Sequence, residues 1–251
     1  RPLEEVMEDV DASARLWPQA RRVFVCDGDA LSAGYDTFSA LCGHIVRRFP
    51  ALERISAYTN ARDILRLSPE ELARLRELRF SLCYLGLESG GATVLERIRK
   101  GATPEDMAGM AEKARAAGMD LSAIVLLGAG GRALTEDHVT GTITVVNRMR
   151  PRYLSFLTAM IVPHTALMTW TREGAFQPLT DREILREARE MLAGLELDDT
   201  LFRMNHVSNL IALGGRLPRD RAALLAQLDA LIPRAGDRVT SICDGDQAMF
   251  L

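Results

Sequence analysis

Polar residues and glycines that could do chemistry occur in five short groups, each directly after an apolar stretch of the sequence. Carboxylates can hold a cation or move a proton, amide oxygens can hold a cation, and glycines let backbone N–H groups approach a phosphate or carboxylate closely. Taken singly, each group is also typical of a turn or a helix cap. The groups are Asp27-Gly28-Asp29, Asn60 with Arg62, Glu88-Ser89-Gly90, Gly128-Ala129-Gly130-Gly131 and Pro163-His164-Thr165.

The stretches that must position these groups alternate between strand and helix patterns. Apolar runs such as "SLCYLGL" and "LSAIVLL" predict buried strands. Amphipathic segments between them predict helices, and "SPEELARLREL" begins with the N-cap Ser68, then Pro69 and the capping-box partner Glu71. The alternation predicts an α/β fold with a parallel sheet, either a barrel or a doubly wound sheet. Because ligands bind at the carboxyl ends of parallel strands, we expect the polar groups to lie along one edge.

The composition is that of an ordinary globular protein, with 47% hydrophobic and 26% charged residues in a chain of 251. The net charge of -3 gives no global signal for nucleic acid or for an anionic membrane as a partner. No apolar run reaches the roughly 18 residues of a membrane-spanning helix, and no signal-peptide pattern is present. A cytoplasmic protein with no membrane partner is therefore expected.

Cysteine and histidine residues show no spacing typical of a metal site. The four cysteines include no CxxC pair, which predicts reduced and mostly buried thiols, with Cys26 buried at the end of its strand. His44, His138 and His164 are too scattered to indicate a mononuclear metal centre. We therefore predict no metal ligands within this sequence.

The stretch "YLGLESGGATVLERIRKGAT" resembles the radical S-adenosylmethionine (radical SAM) superfamily, in the branch of oxygen-independent coproporphyrinogen oxidase, the methylthiotransferases and the Elongator catalytic subunit. The shared pattern is a strand, then Gly, an apolar residue, Glu or Gln and Ser, then a helix and a basic residue before Gly-x-Thr. The resemblance runs from about Arg1 to Leu167. It implies a partial or full parallel (β/α) barrel of the TIM-like type, with residues 1–167 as the core and 168–251 as an α/β extension of the same domain.

The resemblance also implies which residues hold the methionyl amino group of SAM. The stretch "CDGDA" stands where the superfamily has its "GGE" motif, so Gly28 and Asp29 match that motif and Asp27 lies alongside. Asn60 falls at the end of the next strand, where relatives often place a polar contact to SAM.

Further along, the resemblance implies contacts to the rest of SAM. Glu88 matches a Glu or Gln near the ribose and methionine moiety, with Ser89 as its neighbour. Lys100 matches an arginine that pairs with the methionyl carboxylate, and lysine keeps the charge but loses the bidentate fork. The strand "AIVLLGAGG" resembles one that packs on adenine, which implies backbone contacts near Leu126 and Leu127.

Activity in this superfamily needs CxxxCxxC, because three thiolates hold three irons of a [4Fe–4S] cluster while SAM chelates the fourth. The 251 residues contain no such motif. Because "RPLEEVMEDV" resembles the helix after the cluster loop, the first strand and the cluster cysteines are expected upstream of Arg1. The implied reaction is reductive cleavage of SAM to a 5′-deoxyadenosyl radical, which abstracts hydrogen from an unidentified substrate. A flavodoxin or ferredoxin is the implied electron donor.

Two other functions fit the same residues. One is a conventional barrel lyase or hydrolase that uses Asp29 and Glu88 as paired carboxylates, and the other is a degenerate SAM-binding module without catalysis. The substrate, a small molecule or a macromolecule, is expected to contact Arg203, Asn205 and His206 in the polar stretch "FRMNHVSNL". A histidine beside Asn and Ser is, however, often a hydrogen-bonded structural residue.

Overall fold

A computed structural model describes residues 1–243, and of Asp27 only the backbone. The strands are β1 (Arg22–Asp29), β2 (Arg54–Tyr58), β3 (Phe80–Glu88), β4 (Asp120–Leu127), β5 (Tyr153–Thr158), β6 (Thr200–Met204) and β7 (Leu213–Leu217). The helices are α1 (Leu3–Leu16), α2 (Tyr35–Arg48), α3 (Ala61–Arg66), α4 (Pro69–Glu77), α5 (Ala92–Arg97), α6 (Pro104–Ala116), α7 (Thr135–Met149), α8 (Ala166–Arg172), α9 (Asp181–Gly194) and α10 (Arg221–Leu231).

The strands of the described residues form a sheet in the order β1-β2-β3-β4-β5-β6-β7. β1 pairs in parallel with β2, β2 with β3, and β5 with β6, whereas β7 runs antiparallel to β6. The predicted α/β class is thus confirmed. The order has β1 and β7 as its two edges, which matches the partial rather than the full barrel.

Most predicted elements are present with their local signals. The capping box of α4 forms, since Ser68 Oγ accepts from the N–H of Glu71 and Glu71 accepts from the N–H of Ser68. Sequence reasoning did not predict the short helix α8 or the strand β7. The two glycines of "LGGRL" have low strand propensity, and pairing with β6 overrides it.

The chain divides into two compact units, and the first contains Arg1–Gly86 and Gly109–Ser122. Its core is apolar side chains between α2 and β3, where the rings of Phe38 and Phe80 meet edge to face at 5.0 Å. Asp11 of α1 accepts hydrogen bonds from His44 and Arg48 of α2, which ties the two helices together. The strands of the first unit are therefore supported by a well-packed layer of helices.

The second unit contains Leu87–Ala108 and Ala123–Leu251. Phe156 of β5 and Phe202 of β6 meet edge to face at 5.0 Å in its core. A smaller apolar cluster of Ile161, Met168 and Phe176 lies beyond β5. The core of this unit therefore includes β5, β6 and the segment that follows β5.

The expectation that Cys26 is buried was wrong. Cys26 is exposed on β1, whereas the other three cysteines are buried as predicted. Phe24, two residues earlier on β1, is also partly exposed, so the apolar residues of this strand are packed against the protein on one face only. Among the helices that the structure describes, none is both long and apolar enough to cross a membrane.

Candidate functional site

Two carboxylates and one amide come together in the first unit, after β1 and β2. The side-chain amide of Asn60 donates to a carboxylate oxygen of Asp29 and to Asp63 Oδ2, the latter at 2.6 Å. Asn60 also caps α3, because its Oδ1 accepts from the N–H of Asp63 at 2.9 Å. Asp29 accepts a further bond from the N–H of Leu31 at 3.1 Å. The structure thus brings the predicted residues Asp29 and Asn60 into direct contact.

Asp29 and Asp63 place two carboxylates side by side, and Asp63 also forms a long ion pair with Arg66, whose Nη1 lies 3.9 Å from Asp63 Oδ1. Partial burial, and then the adjacent Asp63 carboxylate, raise the pKa of Asp29 to about 6. The N–H of Leu31 acts in the opposite direction but does not cancel the effect. A cation placed here would relieve the repulsion, so the cluster can bind an ammonium group.

Gly28 lies beside this cluster with a φ of +112°, a conformation that side chains rarely adopt. Apart from its two neighbours in the chain, no residue has an atom within 4 Å of the position of a Cβ at Gly28, so its surroundings are open. Asp27 lies on β1, and its side chain is outside the described part of the structure. Gly28 therefore leaves backbone accessible next to the Asp29 carboxylate.

Three aromatic rings, which sequence reasoning missed, lie in contact in the first unit. Phe24 of β1 meets Tyr58 and Tyr84 with ring centroids 5.2 and 4.9 Å apart. Phe24 is 39% exposed and Tyr58 is 43% exposed. Large apolar side chains are seldom left this open, so these rings offer a surface on which a flat group can pack.

In the second unit, Glu88 and Lys100 form an ion pair. Lys100 Nζ donates to Glu88 Oε1 at 3.1 Å, and the two side chains are 25% and 21% exposed. Glu88 has a φ of +60°, an unusual conformation for a residue with a side chain. The backbone at the end of β3 is thus turned so that a carboxylate and an ammonium meet at a partly open position.

Ser89, in contrast, is fully buried. Its Oγ accepts from the N–H of Gly91 at 2.9 Å and lies 2.7 Å from His138 Nδ1. A Cβ at Gly90 would clash with the backbone of Gly141 on α7, so this loop and that helix touch backbone to backbone. The structure therefore places the Ser89 hydroxyl inside the protein, away from the Glu88 carboxylate.

Leu126 is half-buried and Leu127 is fully buried at the end of β4. The next residue, Gly128, has a φ of +79°, and its N–H donates to Glu187 Oε1 at 2.5 Å. Glu187 Oε2 accepts from Thr135 Oγ1 at 2.8 Å. A carboxylate therefore holds the backbone directly after the two predicted adenine contacts.

His138 and Glu187 are polar residues that sequence reasoning missed. Glu187 is 2% exposed, in the middle of the apolar face of α9, between Ile184 and Met191. A carboxylate at such a position is the signal that could have found it, because a buried charge needs partners. His138, fully buried on α7, gives no comparable signal.

The three predicted substrate residues lie after and within β6, but not together. Arg203 and Asn205 line an open groove of about 540 Å³ with Arg216, Arg219 and others. His206 is not among the lining residues, and its Nδ1 lies 2.9 Å from Ser208 Oγ. Two of the three residues therefore share a basic groove.

Groups of three or more potential metal ligands do not occur among the side chains that the structure describes.

Comparison with a family model gives a match to the radical SAM superfamily over residues 1–145. Among the curated proteins, no sequence matches the chain. The family match covers more than half of the chain and includes the strand ends of β1 to β4.

Solved structures with a similar fold include three proteins. The Elp3 protein of Methanocaldococcus infernus superposes with a TM-score of 0.60 at 11% identity, over 93% of this chain and 60% of its own. Coproporphyrinogen III oxidase of Escherichia coli superposes with a TM-score of 0.59 at 15% identity, over 76% of this chain and 45% of its own. The methyltransferase TsrM of Kitasatospora setae superposes with a TM-score of 0.54 at 16% identity, over 92% of this chain and 46% of its own. At such identities the likeness shows the fold alone, and the chain spans about half the length of these relatives.

Proposed function

The chain belongs to the radical SAM superfamily, and from this premise we propose that it is the SAM-binding part of a radical SAM enzyme. The observation that carries the proposal is the cluster of Asp29, Asn60 and Asp63, where two carboxylates share one amide donor. The methionyl end of SAM carries an ammonium group, and an accessible site with surplus negative charge suits it.

We propose that Asp29 accepts from the methionyl ammonium, with the exposed backbone at Gly28 and with Asn60 next to it. Partial burial and the adjacent Asp63 raise the pKa of Asp29 to about 6, so its surroundings disfavour the ionised carboxylate. A bound ammonium would supply a cationic partner and favour the ionised form. Asp27 stays a prediction, since its side chain is not described.

In the second unit we propose that Lys100 binds the methionyl carboxylate and Glu88 a hydroxyl or the ammonium. The Lys100 ammonium has three hydrogens and donates one to Glu88, so donors remain for a ligand. Leu126 and Leu127 are proposed to meet adenine through their backbone, in keeping with the half-buried position of Leu126. Ser89 is proposed to act only indirectly, because it is buried.

The [4Fe–4S] cluster that superfamily membership implies does not fit the described residues. Cys26 is exposed, the other three cysteines are buried, and no three metal ligands lie together among the described side chains. The residues of this chain therefore support SAM binding and not cluster ligation. We propose that cysteines outside residues 1–251 hold the cluster, and that a flavodoxin or ferredoxin reduces it.

For the substrate we propose contact with Arg203 and Asn205 in the groove beside β6 and β7. Arg216 pairs with Asp199, and Arg219 pairs with Asp220, so these two charges are already balanced. Arg203 is exposed on β6 and lines the same groove. A substrate with a carboxylate or phosphate would suit it.

The assignment of residues 1–167 to a core and 168–251 to an extension also stays a proposal.

SAM binding is tested by isothermal titration calorimetry with three probes: SAM, S-adenosylhomocysteine and 5′-methylthioadenosine. The third probe lacks the amino acid moiety. We expect Asp29→Asn to weaken SAM and S-adenosylhomocysteine by about tenfold, or about 1.4 kcal/mol, and to leave 5′-methylthioadenosine unchanged. Asp120→Asn, which replaces an exposed carboxylate at the start of β4, is the matched control.

A wild-type protein that binds none of the three probes would overturn the proposal. Equal weakening of all three by Asp29→Asn would remove the assignment of the ammonium to this cluster. To separate the radical enzyme from a degenerate module, the protein with its natural upstream residues is treated anaerobically with iron and sulfide. A [4Fe–4S] spectrum and 5′-deoxyadenosine after reduction with SAM support the enzyme, and SAM binding without either supports the module.

A further inference from the structure

Three buried polar side chains form a connected row in the second unit. Ser89 Oγ lies 2.7 Å from His138 Nδ1, and His138 Nε2 lies 3.6 Å from Glu187 Oε1. Ser89 and His138 are 0% exposed and Glu187 is 2% exposed. The row links the loop after β3 to the loop after β4 through α7 and α9.

The row is continuous whichever ring nitrogen of His138 carries the proton. Ser89 Oγ accepts from the N–H of Gly91, and it can either donate to His138 Nδ1 or accept from it. His138 Nε2 faces Glu187 Oε1 at 3.6 Å. Burial lowers the pKa of His138 to about 4, in keeping with a neutral ring.

Glu187 in turn holds the backbone after β4. Its two oxygens accept from the Gly128 N–H and from Thr135 Oγ1. A Cβ at Gly128 would come within 2.8 Å of Ile184 Cδ1, so the loop lies directly against α9. The loop after β3 is held in the same way, because the Gly90 N–H donates to Thr142 Oγ1 of α7 at 2.9 Å.

Ser, His and Glu are also the residue types of a hydrolase triad. Here all three are buried, so no substrate can reach the Ser89 hydroxyl. The row can act only through the backbone segments that it holds. Those segments are the loop after β3, which ends at Glu88, and the loop after β4, which ends at Leu127.

We infer that His138 and Glu187 are positioning residues that hold the strand exits after β3 and β4 in the geometry that binds the adenosine part of SAM. The inference rests on the proposed function. It assigns no contact with SAM to either side chain. Since the carboxylate binds the peptide after the predicted adenine contacts, its loss should affect ligands that contain adenosine, whether or not they carry the amino acid.

The test compares Glu187→Ala, Glu187→Gln and Leu192→Ala by calorimetric titration with SAM and with 5′-methylthioadenosine. We expect Glu187→Ala to weaken both probes at least tenfold. Glu187→Gln should restore both to within about threefold, because an amide oxygen can still accept from Gly128 and the amide N–H can face Thr135. Leu192→Ala removes a fully buried side chain of the same helix and should leave both affinities unchanged.

Hydrogen–deuterium exchange of the ligand-free proteins is the second measurement. We expect faster exchange at residues 88–91 and 128–131 in Glu187→Ala and in the milder variant Thr135→Val, but not in Leu192→Ala. Unchanged 5′-methylthioadenosine affinity in Glu187→Ala overturns the inference. An equal loss of affinity in Leu192→Ala also overturns it. If Glu187→Ala does not fold, the inference is overturned when both loops exchange as slowly in Thr135→Val as in the wild type.

The outcomes separate this inference from the proposed function. Failure of the wild-type protein to bind any probe overturns the proposed function, and with it the inference. If the wild-type protein binds the probes, and Asp29→Asn reduces this binding but Glu187→Ala does not, the proposed function is kept and only the inference is overturned.

Discussion

Asp29 and Glu187 are two carboxylates whose pKa is raised for related reasons but in different surroundings. Burial raises the pKa of Glu187 to about 7, although Gly128 and Thr135 donate to it. Partial burial and the neighbouring Asp63 raise the pKa of Asp29 to about 6. Both oxygens of each carboxylate accept a hydrogen bond, but Glu187 is enclosed, whereas Asp29 is half-buried beside the open backbone of Gly28.

The difference shows that a shifted pKa does not by itself indicate a ligand site. Such shifts gather at functional sites, but structural networks produce them as well. Access separates the two cases. Asp29 is half-buried and open to a ligand, which favours binding of a cation, whereas Glu187 is enclosed, which favours a role in holding backbone.

The largest expected effect is on stability, through Glu187. Glu187→Ala leaves the buried Gly128 N–H and the Thr135 hydroxyl without an acceptor and creates a cavity, so the free energy of unfolding should fall by about 2–4 kcal/mol. Glu187→Gln should lose less than half of that. Urea denaturation measures both, and Glu190→Ala, on the exposed side of α9, should stay within about 0.5 kcal/mol. A loss of less than 1 kcal/mol in Glu187→Ala would mean that the row is not structural.

The next effect is a pH dependence of opposite sign in two variants. The pKa of Glu187 is raised from 4.5 to about 7, so its contribution to stability is full below 4.5 and is lost as pH rises through 7. The pKa of His138 is lowered from 6.5 to about 4, so its contribution is full above 6.5 and is lost as pH falls towards 4. Each amounts to at most about 3.4 kcal/mol, and in the wild type the two offset each other.

Single variants should expose each contribution. Glu187→Gln retains only His138, so its stability should fall as pH goes from 7.5 to 5. His138→Gln retains only Glu187, so its stability should fall as pH goes from 5 to 7.5. Denaturant unfolding at four pH values measures both slopes, and slopes of the same sign in the two variants would contradict the assignment.

A smaller effect is expected at Asp29, with stability and binding moving in opposite directions. Its pKa is raised from 3.8 to about 6, so the ionised carboxylate disfavours the folded state as pH rises through 6. Asp29→Asn should therefore stabilise the protein at pH 8 by about 1 kcal/mol, after allowance for solvent screening. The same variant should bind SAM more weakly. Loss of stability at pH 8 would show that Asp63 does not repel Asp29.

The smallest stability change is expected at Lys100. Its ion pair with Glu88 is partly exposed, so Lys100→Met should change the free energy of unfolding by less than about 0.5 kcal/mol. Affinity for S-adenosylhomocysteine should nevertheless fall by about tenfold, and Lys100→Arg should keep most of it. Equal affinity in the methionine and arginine variants would remove Lys100 from the site.

Local patterns predicted most of the fold. Buried strands such as β4 and capped helices such as α4 are specified by signals within a few residues. The antiparallel strand β7 is not, because its pairing with β6 depends on tertiary contact rather than on "LGGRL" itself. The exposure of Cys26 was missed for the same reason, since an apolar run does not show which face is covered.

For the candidate site, the sequence predicted the strand exits but not what holds them. Asp29 and Asn60 come together because parallel strands end side by side. His138 and Glu187 are 49 residues apart and meet only through the packing of α7 and α9, so no spacing rule finds them. The buried carboxylate within the apolar face of α9 was the one local indication.

The backbone contact between Gly90 and Gly141 limits how this chain can change over time. A Cβ at either position would overlap the main chain of the other, and no amino acid is smaller than glycine. A substitution at one residue therefore cannot be compensated by a second substitution at its partner. Any homologue that keeps α7 at this distance from the loop should show glycine at both positions, and a homologue without the pair should have shifted the helix.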